Sequence, residues 1–214
     1  MPLLVPAVNA ADEATFVARA RLVRVFGCPW VQVDVADGVF GTPGNFATPA
    51  AAEQELGGLN IDVHLMVQAA LESVYAWSAA SPFRLTIHAE VTSDPRTVLE
   101  AIRNQGVERG LALGPDTQVE RVEPFLADVD FLLFVAVPPG RSGQPFDPNT
   151  LERVRSVRWK WPDLNIGVDG GVTLGLVPEL LEAGATTLCC SSAIFGSPDP
   201  VVAYEELRAL VERS

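Results

Sequence analysis

Trp30-Val31-Gln32-Val33-Asp34-Val35-Ala36-Asp37-Gly38 alternates strictly, sending Val31, Val33 and Val35 to one side of a strand and Gln32, Asp34 and Ala36 to the other. A carboxylate, Asp34, therefore sits among apolar residues near the C-terminal end of a strand. Burial there is costly unless the group has a partner or a task.

The same kind of run recurs along the chain. Short apolar stretches occupy Leu3 to Val8, Trp30 to Val35, Ile61 to Val67, Phe83 to His88, Glu108 to Leu113, Phe131 to Val137, Ile166 to Val168 and Thr187 to Cys190. Amphipathic helical patterns lie between them: Asp12 to Phe26, Thr48 to Leu56, Gln68 to Ala80, Asp94 to Gln105, Thr117 to Leu126, Asn149 to Trp159, Leu174 to Ala183 and Pro200 to Glu212. Asp12 and Asp94 suit helix N-caps, and Gly184 suits a left-handed residue after a helix. Eight strand–helix units in a chain of 214 residues predict a single (β/α)8 TIM barrel over 1–214, with an open doubly wound sheet as the alternative.

Composition narrows the function. The net charge of −12 argues against nucleic acid, whose phosphates need a basic surface. No apolar run is long enough to span a bilayer, and the N-terminus lacks the pattern of a signal peptide, so no membrane role and a cytoplasmic location are expected. Cys28, Cys189 and Cys190 show no paired-ligand spacing and read as small buried residues. Lys160 is the one lysine of the chain, and it precedes a strand, on the barrel face opposite the chemistry. Schiff-base catalysis, which needs an amine at the reacting centre, is thereby disfavoured.

In a barrel the working residues stand on the inner face near strand ends. The third strand turns Ile61, Val63, Leu65 and Val67 outward and Asp62, His64 and Met66 inward; the fourth places Arg84, Thr86 and His88 inward. The seventh ends in Val168-Asp169-Gly170-Gly171, with Asp169 at the mouth. Taken singly, an aspartate before Gly-Gly is a common turn residue, and a lone buried histidine is an ordinary core residue. Asp34, His64 and Asp169 come from three strands aimed at one cavity, which favours a site.

These residues fall in a set of motifs: Val33-Asp34-Val35-Ala36-Asp37-Gly38, Asp62-Val63-His64-Leu65-Met66-Val67, Pro139-Gly140 followed by Gly143-Gln144, Val168-Asp169-Gly170-Gly171-Val172, and Ser192-Ala193-Ile194-Phe195-Gly196. In this order and spacing the chain resembles the ribulose-phosphate 3-epimerases and related ketohexose 6-phosphate epimerases nearly end to end. The resemblance implies a ribulose-phosphate-binding barrel. It implies that Asp34 and Asp169 are an acid/base pair that takes a proton from the carbon beside a ketone and returns one to the opposite face. It implies a divalent metal (zinc, iron or manganese) held by histidines and the same aspartates to stabilise the enediolate, a small phosphorylated sugar as partner, and a homo-oligomer of unspecified size. An adjacent cation or oriented donor is the usual means of lowering such a barrier.

Departures from the family pattern accompany the matches. Gln32 stands where the family has its first histidine ligand; an amide oxygen is a weaker ligand for these metals, so a weak or absent metal, or a preference for harder ions, is expected beside Asp34, His64 and Asp169. Ala36 and Val135 replace methionines, leaving Met66 of that lining. Ala10 replaces a serine, with Asn9 next to it as a side-chain donor. At the phosphate end Gly170, Gly171 and Ser192 keep their places, together with Gly140 and Gly143. Ser191 replaces a glycine, where a Cβ limits backbone approach while the hydroxyl offers a bond. Arg141 takes the place of an aromatic, either as an anion contact or as a solvated loop charge. Three readings follow: a pentulose-phosphate 3-epimerase interconverting ribulose 5-phosphate and xylulose 5-phosphate, an enzyme of the same fold with a changed substrate, and a non-catalytic relative binding a ligand or partner.

Overall fold

The computed structural model describes residues 1–140 and 143–213. They form a closed barrel of parallel strands in sequential order: β1 (Leu3–Val8), β2 (Trp30–Ala36), β3 (Asn60–Met66), β4 (Arg84–His88), β5 (Glu108–Leu113), β6 (Phe131–Val135), β7 (Asn165–Asp169) and β8 (Thr187–Cys190). β8 pairs back onto β1 with Leu188 opposite Leu4 and Cys189 opposite Val5, which closes the ring and leaves no strand edge. The open-sheet alternative is thus replaced by the barrel.

The helices are α1 (Glu13–Phe26), α2 (Pro49–Leu56), α3 (Ala70–Trp77), α4 (Arg96–Asn104), α5 (Asn149–Lys160), α6 (Val177–Glu182), α7 (Ser192–Phe195) and α8 (Pro200–Arg213). α1 shows why they form where they do. Asp12 accepts a hydrogen bond from the Thr15 amide at 2.8 Å, and Gly27 ends the helix at φ 66°. Phe16, Ala20, Val23 and Phe26 fall on one stripe and are buried against the barrel wall.

Two local expectations are corrected. Thr117 to Leu126 is not an α-helix but two 3₁₀ segments, Val119–Arg121 and Glu123–Asp128; Pro124 removes a donor there and holds the second segment to its short form. Asp94 does not cap α4, because Pro95 takes the cap position. Asp94 instead accepts from the Arg96 amide at 3.0 Å, bracing the turn before the helix. The four-residue α7 had no counterpart in the helical patterns read from the sequence.

Side chains pointing outward from the strands, such as Val31, Val33, Val63, Leu65, Leu85 and Ile87, pack with the helices into one continuous layer. Those pointing inward form a smaller cluster that includes Val5, Ala7, Ala112, Leu133 and Cys189. The floor of the barrel is built differently. Arg84, 4% exposed, pairs with Asp62 at 3.0 Å and stacks over the Phe131 ring with its guanidinium carbon 3.6 Å from the centroid. Gly167 makes room for that ring, since a Cβ at this position would overlap its edge. Thr86 donates to the other Asp62 oxygen at 3.1 Å, so one oxygen of the buried carboxylate accepts a hydrogen bond and the other faces the guanidinium. This ion pair plugs the end opposite the strand C-termini.

Candidate active site

Register places the polar residues of neighbouring strands side by side. Asp34 on β2 is level with His64 on β3, and Asp169 on β7 is level with Val135 on β6 and Cys189 on β8. The result is a small cleft at the C-terminal end of the strands. Asn9, Asp34, His64, Met66, Gly140, Gly143, Asp169, Gly170, Gly171, Ser191 and Ser192 all line it. Val135 lies on the same wall. Gln32 is fully buried beneath this lining. Arg141 lies outside the described residues.

Gln32 is the joint of the site. Its Nε2 donates to Asp34 Oδ1 and to Asp169 Oδ2, each at 2.8 Å. The amide must present nitrogen to the two acceptor-only oxygens, because its own oxygen in that position would repel both. Its Oε1 points elsewhere and has no partner. The expectation of Gln32 as a doubtful oxygen ligand is therefore replaced by a donor that bridges two carboxylates.

His64 approaches the same pair from the other side. Its Nδ1 lies 3.4 Å from Asp34 Oδ1 and 3.4 Å from Asp169 Oδ2, and it is aligned for a hydrogen bond with neither. Asp34, His64 and Asp169 thus offer three ligand atoms within 4.8 Å of one another. A buried nitrogen aimed between two carboxylates and bonded to neither fits a cation held among all three better than a closed hydrogen-bond network. Two carboxylate oxygens and one imidazole suit a divalent ion of hard or intermediate character.

Electrostatics follow from this crowding. Burial, then the nearby Asp169 carboxylate, pushes the Asp34 carboxyl up despite the nearby His64 imidazole and the Gln32 bond. Burial opposes charge on His64, but the two carboxylates win and push its imidazole up to about 10. A proton on His64 offsets part of the charge of the pair, and a cation held by the same three side chains would do so in its place.

Behind His64 stands a chain of polar contacts. His64 Nε2 is 2.9 Å from His88 Nε2, and His88 Nδ1 is 3.1 Å from Glu90 Oε2. Burial pushes the His88 imidazole down, and the Phe40 ring covers it at 4.8 Å between centroids. Glu90 also accepts from the Gly114 amide at 2.7 Å and from Thr117 Oγ1. Despite partial burial, these donors hold its carboxyl down to about 2. Asn45 braces the other flank, donating to the Asp34 carbonyl at 2.8 Å and accepting from the Ala36 amide at 2.8 Å. Asn9 donates to the Gly140 carbonyl at 3.3 Å and accepts from Asn45.

Glu90 and Asn45 were missed from the sequence. Glu90 lies two residues past the end of β4, where alternation stops carrying information, although the His88-x-Glu90 spacing was a usable signal.

At the rim, Gly170 and Gly171 adopt φ 93° and 68°, conformations a side chain would strain. A Cβ on Gly171 would also meet the Phe146 backbone at 2.7 Å. Ser191 has ordinary negative φ of −109°, so its Cβ costs no strain, and its buried hydroxyl has no partner.

Comparison with known proteins agrees with this geometry. Residues 3–195 match the model of the ribulose-phosphate 3 epimerase family. The chain belongs to this family. The cytoplasmic isoform of ribulose-phosphate 3-epimerase from Oryza sativa subsp. japonica is 34% identical over 99% of this chain and 95% of its own. The ribulose-phosphate 3-epimerase of Bacillus subtilis (strain 168) is 32% identical over 95% of this chain and 96% of its own. Among solved structures, KGPDC from Streptococcus mutans superposes with a TM-score of 0.72 at 13% identity, covering 100% of this chain and 98% of that one. 3-Hexulose-6-phosphate synthase from Salmonella typhimurium gives 0.74 at 14% identity, covering 100% and 99%. At that identity these two structures speak to the barrel alone. Among the described residues no helix is long and apolar enough to cross a membrane.

Proposed function

We propose that this member of the ribulose-phosphate 3-epimerase family interconverts ribulose 5-phosphate and xylulose 5-phosphate by moving a proton at C3. The observation that carries this reading is the meeting of Asp34 and Asp169 over one cleft, both held by Gln32 at 2.8 Å.

Inverting a carbon beside a carbonyl requires a base on one face and an acid on the other. Asp34 comes from β2, beside His64 on β3, and Asp169 from β7 across the barrel, and each commits one oxygen to Gln32, leaving Asp34 Oδ2 and Asp169 Oδ1 outside those bonds. One carboxylate takes the C3 proton; the other, protonated, delivers a proton to the opposite face. Their exposures of 5% and 8% keep bulk water from competing for either proton. The raised Asp34 carboxyl suits the member that must be protonated in part of the cycle.

Asp34, His64 and Asp169 would hold a divalent cation. Bound there, it would supply positive charge beside the substrate oxygens on which negative charge develops. Gln32 keeps the two carboxylates from splaying apart. Met66, Val135 and Val137 give the cleft an apolar wall. Asn9, Gly140, Gly143, Gly170, Gly171, Ser191 and Ser192 would take the phosphate end, where the unpartnered Ser191 hydroxyl would meet an anion.

Incubating the protein with ribulose 5-phosphate in heavy water, with Zn²⁺ or Mn²⁺ supplied, tests this. Loss of the C3 proton signal with growth of xylulose 5-phosphate is expected. Absence of exchange under every divalent cation would move the chain to the changed-substrate or binding-only readings.

A further inference from the structure

The geometry assigns Glu90 as a positioning residue that acts through His88 to fix the tautomer of neutral His64, with the proton on Nε2 and the Nδ1 lone pair facing Asp34 and Asp169. This inference rests on the metal reading of Asp34, His64 and Asp169, and is independent of the sugar.

Donors and acceptors decide where the protons sit. Glu90 Oε1 is occupied by the Gly114 amide at 2.7 Å and by the Thr117 hydroxyl, and Oε2 faces His88 Nδ1 at 3.1 Å. An ionised carboxylate only accepts, so His88 carries its proton on Nδ1. His88 Nε2 is then a lone pair, and the 2.9 Å contact with His64 Nε2 becomes a hydrogen bond only if His64 donates. His64 in its neutral form therefore bears its proton on Nε2 and none on Nδ1, the atom 3.4 Å from both carboxylates. His64 and His88 are at most 1% exposed, so water does not reach the contact between them, and the partly buried Glu90 is held in place by the Gly114 amide and the Thr117 hydroxyl. Carboxylate–histidine pairs that orient a metal ligand are a general device; here the device is lengthened by a second histidine.

Glu90→Gln inverts the chain. The Gly114 amide, a fixed donor, must meet the new side-chain oxygen, which turns the NH₂ group toward His88. His88 then accepts on Nδ1 and donates from Nε2, His64 must accept on Nε2, and its proton moves to Nδ1, between the carboxylates and in the place of the metal.

The chain contains two histidines, and both are in this relay, so protein labelled with ¹⁵N-histidine shows two rings and nothing else. Zn²⁺-loaded wild type should show His88 protonated on Nδ1 and His64 protonated on Nε2 with Nδ1 bound to zinc. Glu90→Gln should weaken Zn²⁺ binding, read by calorimetry, by about 10- to 100-fold, and move the His88 proton to Nε2. Thr117→Val, which removes one bond to Glu90 and leaves its oxygens as acceptors, should keep the wild-type tautomers and bind Zn²⁺ within about threefold. Wild-type His88 protonated on Nε2, or a Glu90→Gln protein with unchanged affinity, would overturn the relay. If wild type binds no Zn²⁺ at all, the metal reading falls as well, and that outcome is distinct from zinc bound with the wrong tautomers.

Discussion

Gln32 and Asp169, 137 residues apart in the chain, are joined by a 2.8 Å hydrogen bond from the amide nitrogen of one to Oδ2 of the other. With the equal bond to Asp34 Oδ1, this amide supplies positive hydrogen to two buried carboxylates that would otherwise repel.

Removing those donors should expose the repulsion. Gln32→Leu in the presence of a chelator is expected to lose about 2–3 kcal/mol of unfolding free energy, the scale for buried charged acceptors left unmet. Added Zn²⁺ should recover part of the loss, because a cation neutralises the same oxygens. Gln32→His offers an imidazole in place of the amide and should tighten Zn²⁺ binding by about tenfold, roughly 1.4 kcal/mol. Urea titrations with and without metal, and calorimetry, check both. A Gln32→Leu protein as stable as wild type would show that the bridge does not hold the pair.

The two aspartates are expected to be separately indispensable. Asp34→Asn and Asp169→Asn should each lower C3 proton exchange by at least about 10²-fold, the usual contribution of a positioned acid or base, while circular dichroism and melting remain close to wild type. Near-native exchange in either variant would remove that residue from the chemistry.

Stability of the metal-free protein should decline on the alkaline side. Glu90 is held down from 4.5 to about 2, so its contribution is present above pH 4.5 and fades as pH falls toward 2. His64 is raised from 6.5 to about 10, so its contribution is complete below pH 6.5 and is lost as pH rises through 10. The raised Asp34 carboxyl adds a loss that begins as pH rises above 3.8, and the lowered His88 imidazole adds one that begins as pH falls below 6.5. Urea midpoints measured in chelator should therefore fall as pH rises from about 6.5 toward 10. With Zn²⁺ present the alkaline decline should flatten, since metal binding rewards the deprotonated His64. A chelated protein that gains stability steadily from pH 6.5 to 10 would contradict the charge assignment at His64.

The barrel floor should be structural and nothing more. Arg84→Ala leaves Asp62 buried without its cation and is expected to cost about 3–5 kcal/mol. The surviving folded molecules should keep their exchange rate, because the floor lies at the end away from the cleft. A loss of rate per folded molecule, measured at matched folded fraction, would connect the two ends.

The barrel was legible because its evidence is repetitive. Strands such as Leu3–Val8, Glu108–Leu113 and Thr187–Cys190 are bounded as their apolar runs are, and inward parity on β2 and β3 follows from the period of two alone. Helix ends were harder, since single residues decide them: Pro124 broke one helix and Pro95 displaced the Asp94 cap. Asp34, His64 and Asp169 could be found because each ends or nearly ends a strand. Glu90 and Asn45 could not be found in that way. One sits on a 3₁₀ turn and the other in a loop, and neither has a periodicity that says where its side chain points. Gln32 was visible as a residue but not in its role, because a bridging donor is defined only once both acceptors are placed in space.

The plug formed by Arg84, Asp62 and Phe131 makes the molecule a cup and not a tube. Whatever enters between Asp34 and Asp169 must back out through the same opening, so filling and emptying alternate, and a departing product blocks the next arrival. Traffic through that one doorway, framed by Gly140, Gly171 and Ser192, would then bound the turnover of any reaction carried out in the cleft.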